Sequence, residues 1–95
     1  MTITNIEIRC SLQIALLGAV TPNLRAVIAN HKDYNVELYF YYETSPSDDE
    51  VDLSDIVETE VYSYFKKVFV KTYRIVSPVT EKIPSFGLWV YRRSE

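Results

Sequence analysis

Val36 to Tyr42, read as VELYFYY, put Val36, Leu38, Phe40 and Tyr42 on one side of an extended chain. Glu37, Tyr39 and Tyr41 fall on the other side, continued by Glu43. This alternation is that of a strand with one face packed on a core. It stops at Ser45-Pro46, where Ser47 and Glu50 take the spacing of a capping box, each side chain meeting the other's backbone N–H. Asp48, Asp49 and Glu50 then occupy a first helical turn, where the helix dipole favours negative charge. Leu53, Ile56, Val57, Val61, Tyr64 and Phe65 recur at helical spacing, which predicts a helix from Asp48 to Phe65.

The first segment carries two patterns. Ile6, Ile8, Cys10, Leu12, Ile14 and Leu16 alternate as a strand would. Thr4 and Glu7 have capping-box spacing, Ile8, Leu12, Ala15 and Leu16 fit one helical face, and Gly18 stands where a helix would stop. Two end signals agreeing with one face outweigh the alternation, so a helix is predicted from Asn5 to Leu17. After Thr21-Pro22-Asn23, Leu24 to Ala29 reads as a strand, and Asn30 to Asn35 as a hairpin turn containing His31. Val68 to Val76 alternates like a strand, Ser77 to Ser85 with Pro78 and Pro84 is a loop, and Leu88 to Arg92 closes the chain as a strand.

The order is therefore α-β-β-α-β-β over 95 residues, a length that suits one domain, residues 1–95. The expected fold is α+β, with one mostly antiparallel four-stranded sheet and two helices on one face. Val36, Leu38, Phe40 and Tyr42 should face the helices. Tyr39 and Tyr41 should lie on the open face, either presented to a partner or packed on each other.

Little in the chain supports catalysis. Hydrophobic residues at 47% and charged residues at 24% describe an ordinary globular composition. His31, the single histidine, is expected as a solvated turn residue, and Cys10, the single cysteine, as a buried structural thiol. One cysteine excludes an intramolecular disulfide and fits a reducing, cytoplasmic compartment. The uncharged run from Cys10 to Leu24 is too short to span a membrane and has no basic leader, so no membrane association is expected. A zinc site lacks ligands. Gly18 and Gly87 are the only glycines, so neither a phosphate-cradling loop nor an EF-hand is available. No cofactor and no enzymatic activity are expected.

Charge is segregated along the chain. Glu43 to Glu60 holds eight acids and no base, whereas Lys66 to Arg93 holds seven bases and one acid, Glu81. Net charge is −3. The acidic stretch supplies a candidate partner-binding surface from Glu43, Asp48, Asp49, Asp52, Asp55 and Glu58, with Tyr39 and Tyr41 nearby. A one-sign surface of this kind speeds association with a basic protein, although a solvated helix face would look the same. The basic C-terminal strands, with Tyr73, Trp89 and Tyr91, carry the competing readings: a nucleic-acid-binding surface, or a scaffold module that pairs strands with another chain. An acidic pI near 5.1 weighs against nucleic acid.

The segments AxLGAVTPNLRAV from Ala15 to Val27, VELYFYY, VETEV from Val57 to Val61 and FGLWVYRR from Phe86 to Arg93 resemble small bacterial immunity proteins of contact-dependent growth inhibition and related polymorphic toxin systems. None of these segments is catalytic. The resemblance implies a cytoplasmic inhibitor that binds a cognate toxin domain, often a nuclease, and occludes its active site. With one thiol, one turn histidine and no glycine-rich loop, the protein itself is expected to be a metal-free monomer or dimer. It transfers no individual contact residue.

Overall fold

The computed structural model describes residues 3–95. Six elements follow in the expected order: α1 (Asn5–Ala15), β1 (Leu24–Lys32), β2 (Asn35–Tyr42), α2 (Asp48–Phe65), β3 (Phe69–Val76) and β4 (Leu88–Arg92). Both capping boxes form. Thr4 Oγ1 accepts from the Glu7 N–H at 3.2 Å and Ser47 Oγ from the Glu50 N–H at 3.2 Å, while each glutamate reaches back to its cap backbone. α1 ends earlier than the sequence suggests: Leu16 is its cap, and Leu17 lies in a turn that Gly18 completes at φ 80°. β1 runs longer, to Lys32. His31 therefore sits in a strand, with Nε2 2.7 Å from Asn5 Oδ1, and only Asp33 and Tyr34 make the turn.

The sheet order is β3-β2-β1-β4, and the sheet is mixed, where a mostly antiparallel one was expected. β1 pairs antiparallel with β2 and β4, but β2 and β3 are parallel. The cause is α2. Its 18 residues span about 27 Å, close to the roughly 26 Å of the eight-residue β2. The helix thus carries the chain back to the start of β2, and β3 leaves in the same direction.

Both helices cover one face. Ile8, Leu12 and Ala15 of α1 and Val57 and Val61 of α2 meet Val27, Ala29, Val36, Leu38, Phe40 and Tyr42. The facing of β2 follows its alternation. The other face is not open, however. The loop between β3 and β4 folds across it, and Ile83 packs on Ala26, Ile28 and Tyr41, flanked by Tyr39, Ile75 and Trp89. A β-bulge between Leu24 and Ala26 turns two successive side chains, Arg25 and Ala26, toward this loop. Buried Arg25 then gathers it, donating through Nη1 to the carbonyl oxygens of Ser77, Pro78 and Glu81. Gly87 returns the chain to β1 so closely that a Cβ there would lie 2.7 Å from the Ala29 carbonyl oxygen.

Candidate functional site

The acids singled out in the sequence do not form one uniform patch, because the basic third of the chain folds back onto part of it. Arg74, on the helix-facing side of β3, bonds Asp55 through Nη2 and Ser54 Oγ through Nε at 2.7 Å. Arg93 holds Glu43 at 2.9 Å and Glu95 at 2.8 Å. Asp55 and Glu43 are therefore internally paired. Glu58 is half-buried on the same flank of α2 as Asp55.

Asp48, Asp49 and Asp52 remain. All three are exposed, and none has an ion-pair partner among the described residues. Their helix turn is held firmly by Glu50, whose carboxylate accepts from Thr21 Oγ1, from Asn23 Nδ2 at 3.2 Å and from the Ser47 N–H at 3.1 Å. Partial burial raises the Glu50 pKa, but those hydrogen bonds outweigh it and hold the carboxyl below its ordinary value. Asn23 also fixes Thr44, accepting from its N–H at 2.9 Å and donating to its carbonyl at 3.0 Å. The start of α2 is thus pinned to the turn that follows α1. Three free carboxylates stand on a rigid base.

The tyrosines divide as well. Tyr41 is only 4% exposed and belongs to the core under the loop, so its ring is not presented at the surface. Burial raises its pKa. Tyr39 is half-buried, stacked on Tyr73 with centroids 4.8 Å apart and set edge-on to Phe86 at 4.7 Å. Its hydroxyl donates to Glu37 at 3.2 Å, and its pKa is raised first by burial and then by that carboxylate. Neither tyrosine adjoins the acids of α2, since both lie on the opposite face of the sheet.

Of the aromatic rings on the basic strands, Tyr73, Trp89 and Tyr91 are engaged, while Phe69 of β3 stands 74% exposed. Tyr73 carries Tyr39 on its face, with Lys71 Nζ 5.2 Å from its centroid. Trp89 has the Arg92 guanidinium 5.2 Å away, and its N–H donates to Ser85 Oγ at 3.1 Å. Tyr91 packs on the helix-side core. A stacking platform for bases needs free ring faces, and Tyr73 and Trp89 each have one ring face occupied.

One exposed feature escaped the sequence reading. Leu17 is 80% exposed, Ile6 75% and Ile14 61%, and Cys10, expected as a buried thiol, is exposed among them. The buried stripe of α1 is Ile8, Ser11, Leu12 and Ala15, and Cys10 lies outside it. The double pattern of residues 6 to 16 was the available signal: a helix apolar on two sides also alternates.

The model of the MafI2 immunity protein family matches residues 5–95. The chain belongs to the MafI2 immunity protein family. It is thus a bacterial immunity protein of a toxin system, and its cognate partner is a toxin. No curated protein matches the chain.

Proposed function

We propose that this chain acts in the cytoplasm by binding, without catalysis, and neutralises its toxin by laying the start of α2 against a basic surface at the toxin's active site. The observation that carries this reading is the set of free carboxylates on Asp48, Asp49 and Asp52, left unpaired while Arg74 and Arg93 neutralise their neighbours. Like charges clustered on one helix repel, and the helix dipole offsets only part of that cost. A basic partner removes it. Nucleases grip phosphate with lysines and arginines, so a nuclease domain, delivered by contact-dependent growth inhibition or a related polymorphic system, is the toxin class such a surface complements.

The decisive experiment measures binding of the cognate toxin domain, identified by its neutralisation by the wild-type chain, to the double variant Asp49→Lys/Asp52→Lys. Association should slow by at least tenfold at low salt, its salt dependence should flatten, and co-expressed toxin should no longer be neutralised. An unchanged association rate with unchanged salt dependence would show α2 to be a solvated face only.

A further inference from the structure

The outer side of α1, apolar along Ile6, Cys10 and Ile14 and flanked by exposed Glu7 and Arg9, lies beside the acidic start of α2, and nothing among the described residues covers it. Ile6, Cys10 and Ile14 follow one another at i, i+4 and i+8, and Leu17 continues the line one turn on. From Cys10 to Leu24 the chain carries no charge. Large apolar side chains exposed together in this way mark an interaction surface.

Its position is fixed by two hydrogen bonds. Thr21 Oγ1 and Asn23 Nδ2 both donate to Glu50, which brings the turn after α1 against the first turn of α2. The two helices pack side by side on one face of the sheet, α2 beside β3 and α1 beside β4. At 3.6 residues per turn, Asp49, Ile56 and Glu60 lie on the flank of α2 away from Asp55, whose Arg74 partner marks the β3 side. Asp52 points between the flanks. The helix layer therefore has an apolar strip along α1 and an acidic border along the near side of α2.

We infer that the outer side of α1 is the apolar half of the toxin footprint: the occupant is a toxin surface with an apolar projection set among lysines or arginines. This rests on the reading of α2 as the toxin-facing helix, and it extends that surface onto a second element. A second copy of the chain fits less well. Seated stripe to stripe, it would offer apolar contact and Arg9 as the one cation of α1, set against the acids of its own α2 in a chain of net charge −3. Protein interfaces place apolar anchors at the centre and charges at the rim. The anchors set how long the complex lasts, and the rim charges set how fast it forms. Ile14 and Leu17 are the anchors here, with Asp49 and Asp52 as the rim.

The test measures binding kinetics of the same toxin domain, catalytically inactivated, to Ile14→Ser/Leu17→Ser and to Asp49→Lys/Asp52→Lys. The serine variant should dissociate at least tenfold faster, with association rate and salt dependence unchanged. Its melting temperature should not fall, because both side chains already stand in solvent. Leu17→Ser alone, outside the helix, provides a version that cannot fail through helix loss, with an expected threefold or greater increase in dissociation. Cys10 in the wild-type complex should react with a maleimide at least tenfold more slowly than in the free protein. If the serine variant dissociates at the wild-type rate, or if toxin binding leaves Cys10 reactivity unchanged, the inference is overturned. It is equally overturned if light scattering shows a dimer that the serine variant splits while toxin binding persists. If the serine variant dissociates fast but charge reversal has no effect, α1 stands as the footprint and the reading of α2 falls.

Discussion

Arg25 and Glu95 meet as a two-bond fork, Nε 2.7 Å from Oε2 and Nη2 2.7 Å from Oε1, beneath the loop that closes the second face of the sheet. With Nη1 satisfying the carbonyls of Ser77, Pro78 and Glu81, one buried side chain joins β1, the loop and the last residue described. Replacing Arg25 by Ala strands a buried carbonyl and should cost at least about 2 kcal/mol in urea unfolding. Arg25→Lys should recover only part of this, since an ammonium cannot reproduce the planar fork. A lysine variant as stable as wild type would show that charge alone matters.

The same fork sets a pH dependence. The hydrogen bond from Arg25, and after it that from Arg93, pull the Glu95 carboxyl from 4.5 down to about 2 despite an opposing desolvation contribution. A carboxyl with a depressed folded-state pKa stabilises the fold above its unfolded pKa, and the contribution fades as pH falls through the folded value. Stability should therefore decline between about pH 4.5 and pH 2. Glu95→Gln should be less stable at pH 7 and flatter across that window. Parallel melting curves for the two proteins from pH 7 to pH 2 would contradict the assignment.

Elements whose signals are local were legible in the sequence. The capping boxes at Thr4 and Ser47, and the alternation of Val36 to Tyr42, each involve neighbours within a few residues. The fold agrees with all of them. What was not legible depends on long-range contacts. The parallel pairing of β2 and β3 follows from a match between helix and strand lengths, and a strand–helix–strand order could have signalled it. The pairing of Asp55 with Arg74 and of Glu43 with Arg93 joins residues far apart in the chain, so the charge segregation that looked bipolar is partly cancelled in space. Tyr41 lies on the face its alternation gives, but a proline-containing loop that covers a sheet has no periodicity to announce it.

That covered face gives a test by substitution. Phe40 packs under the helices and Tyr41 under the loop, on opposite sides of one strand. Phe40→Ala should cost about 3–5 kcal/mol, as buried aromatics do. Tyr41→Ala should also cost more than about 2 kcal/mol, whereas on an open face it would cost little. Unfolding curves that show a Tyr41→Ala loss below about 1 kcal/mol would mean the loop does not seal this face in solution.

The acids that belong to the fold and those left for a partner differ in what their loss costs. Asp55 is bonded by Arg74, which is itself held by Ser54 Oγ at 2.7 Å, whereas Asp52, one turn earlier, has no ion-pair partner among the described residues. Half-exposed pairs of this kind contribute about 0.5–1 kcal/mol. Asp55→Ala should lower stability by about that amount, and Asp52→Ala should leave it unchanged or slightly raised by relief of like-charge repulsion. In a double-mutant cycle, Asp55→Ala and Arg74→Ala should couple by a measurable fraction of that energy, and Asp52→Ala and Arg74→Ala should not. In toxin binding the order should reverse, because a carboxylate already neutralised from within has less to offer a basic surface than a free one. If Asp55→Ala slows toxin association more than Asp52→Ala does, Arg74 must release Asp55 on binding, and the footprint extends past α2 toward β3.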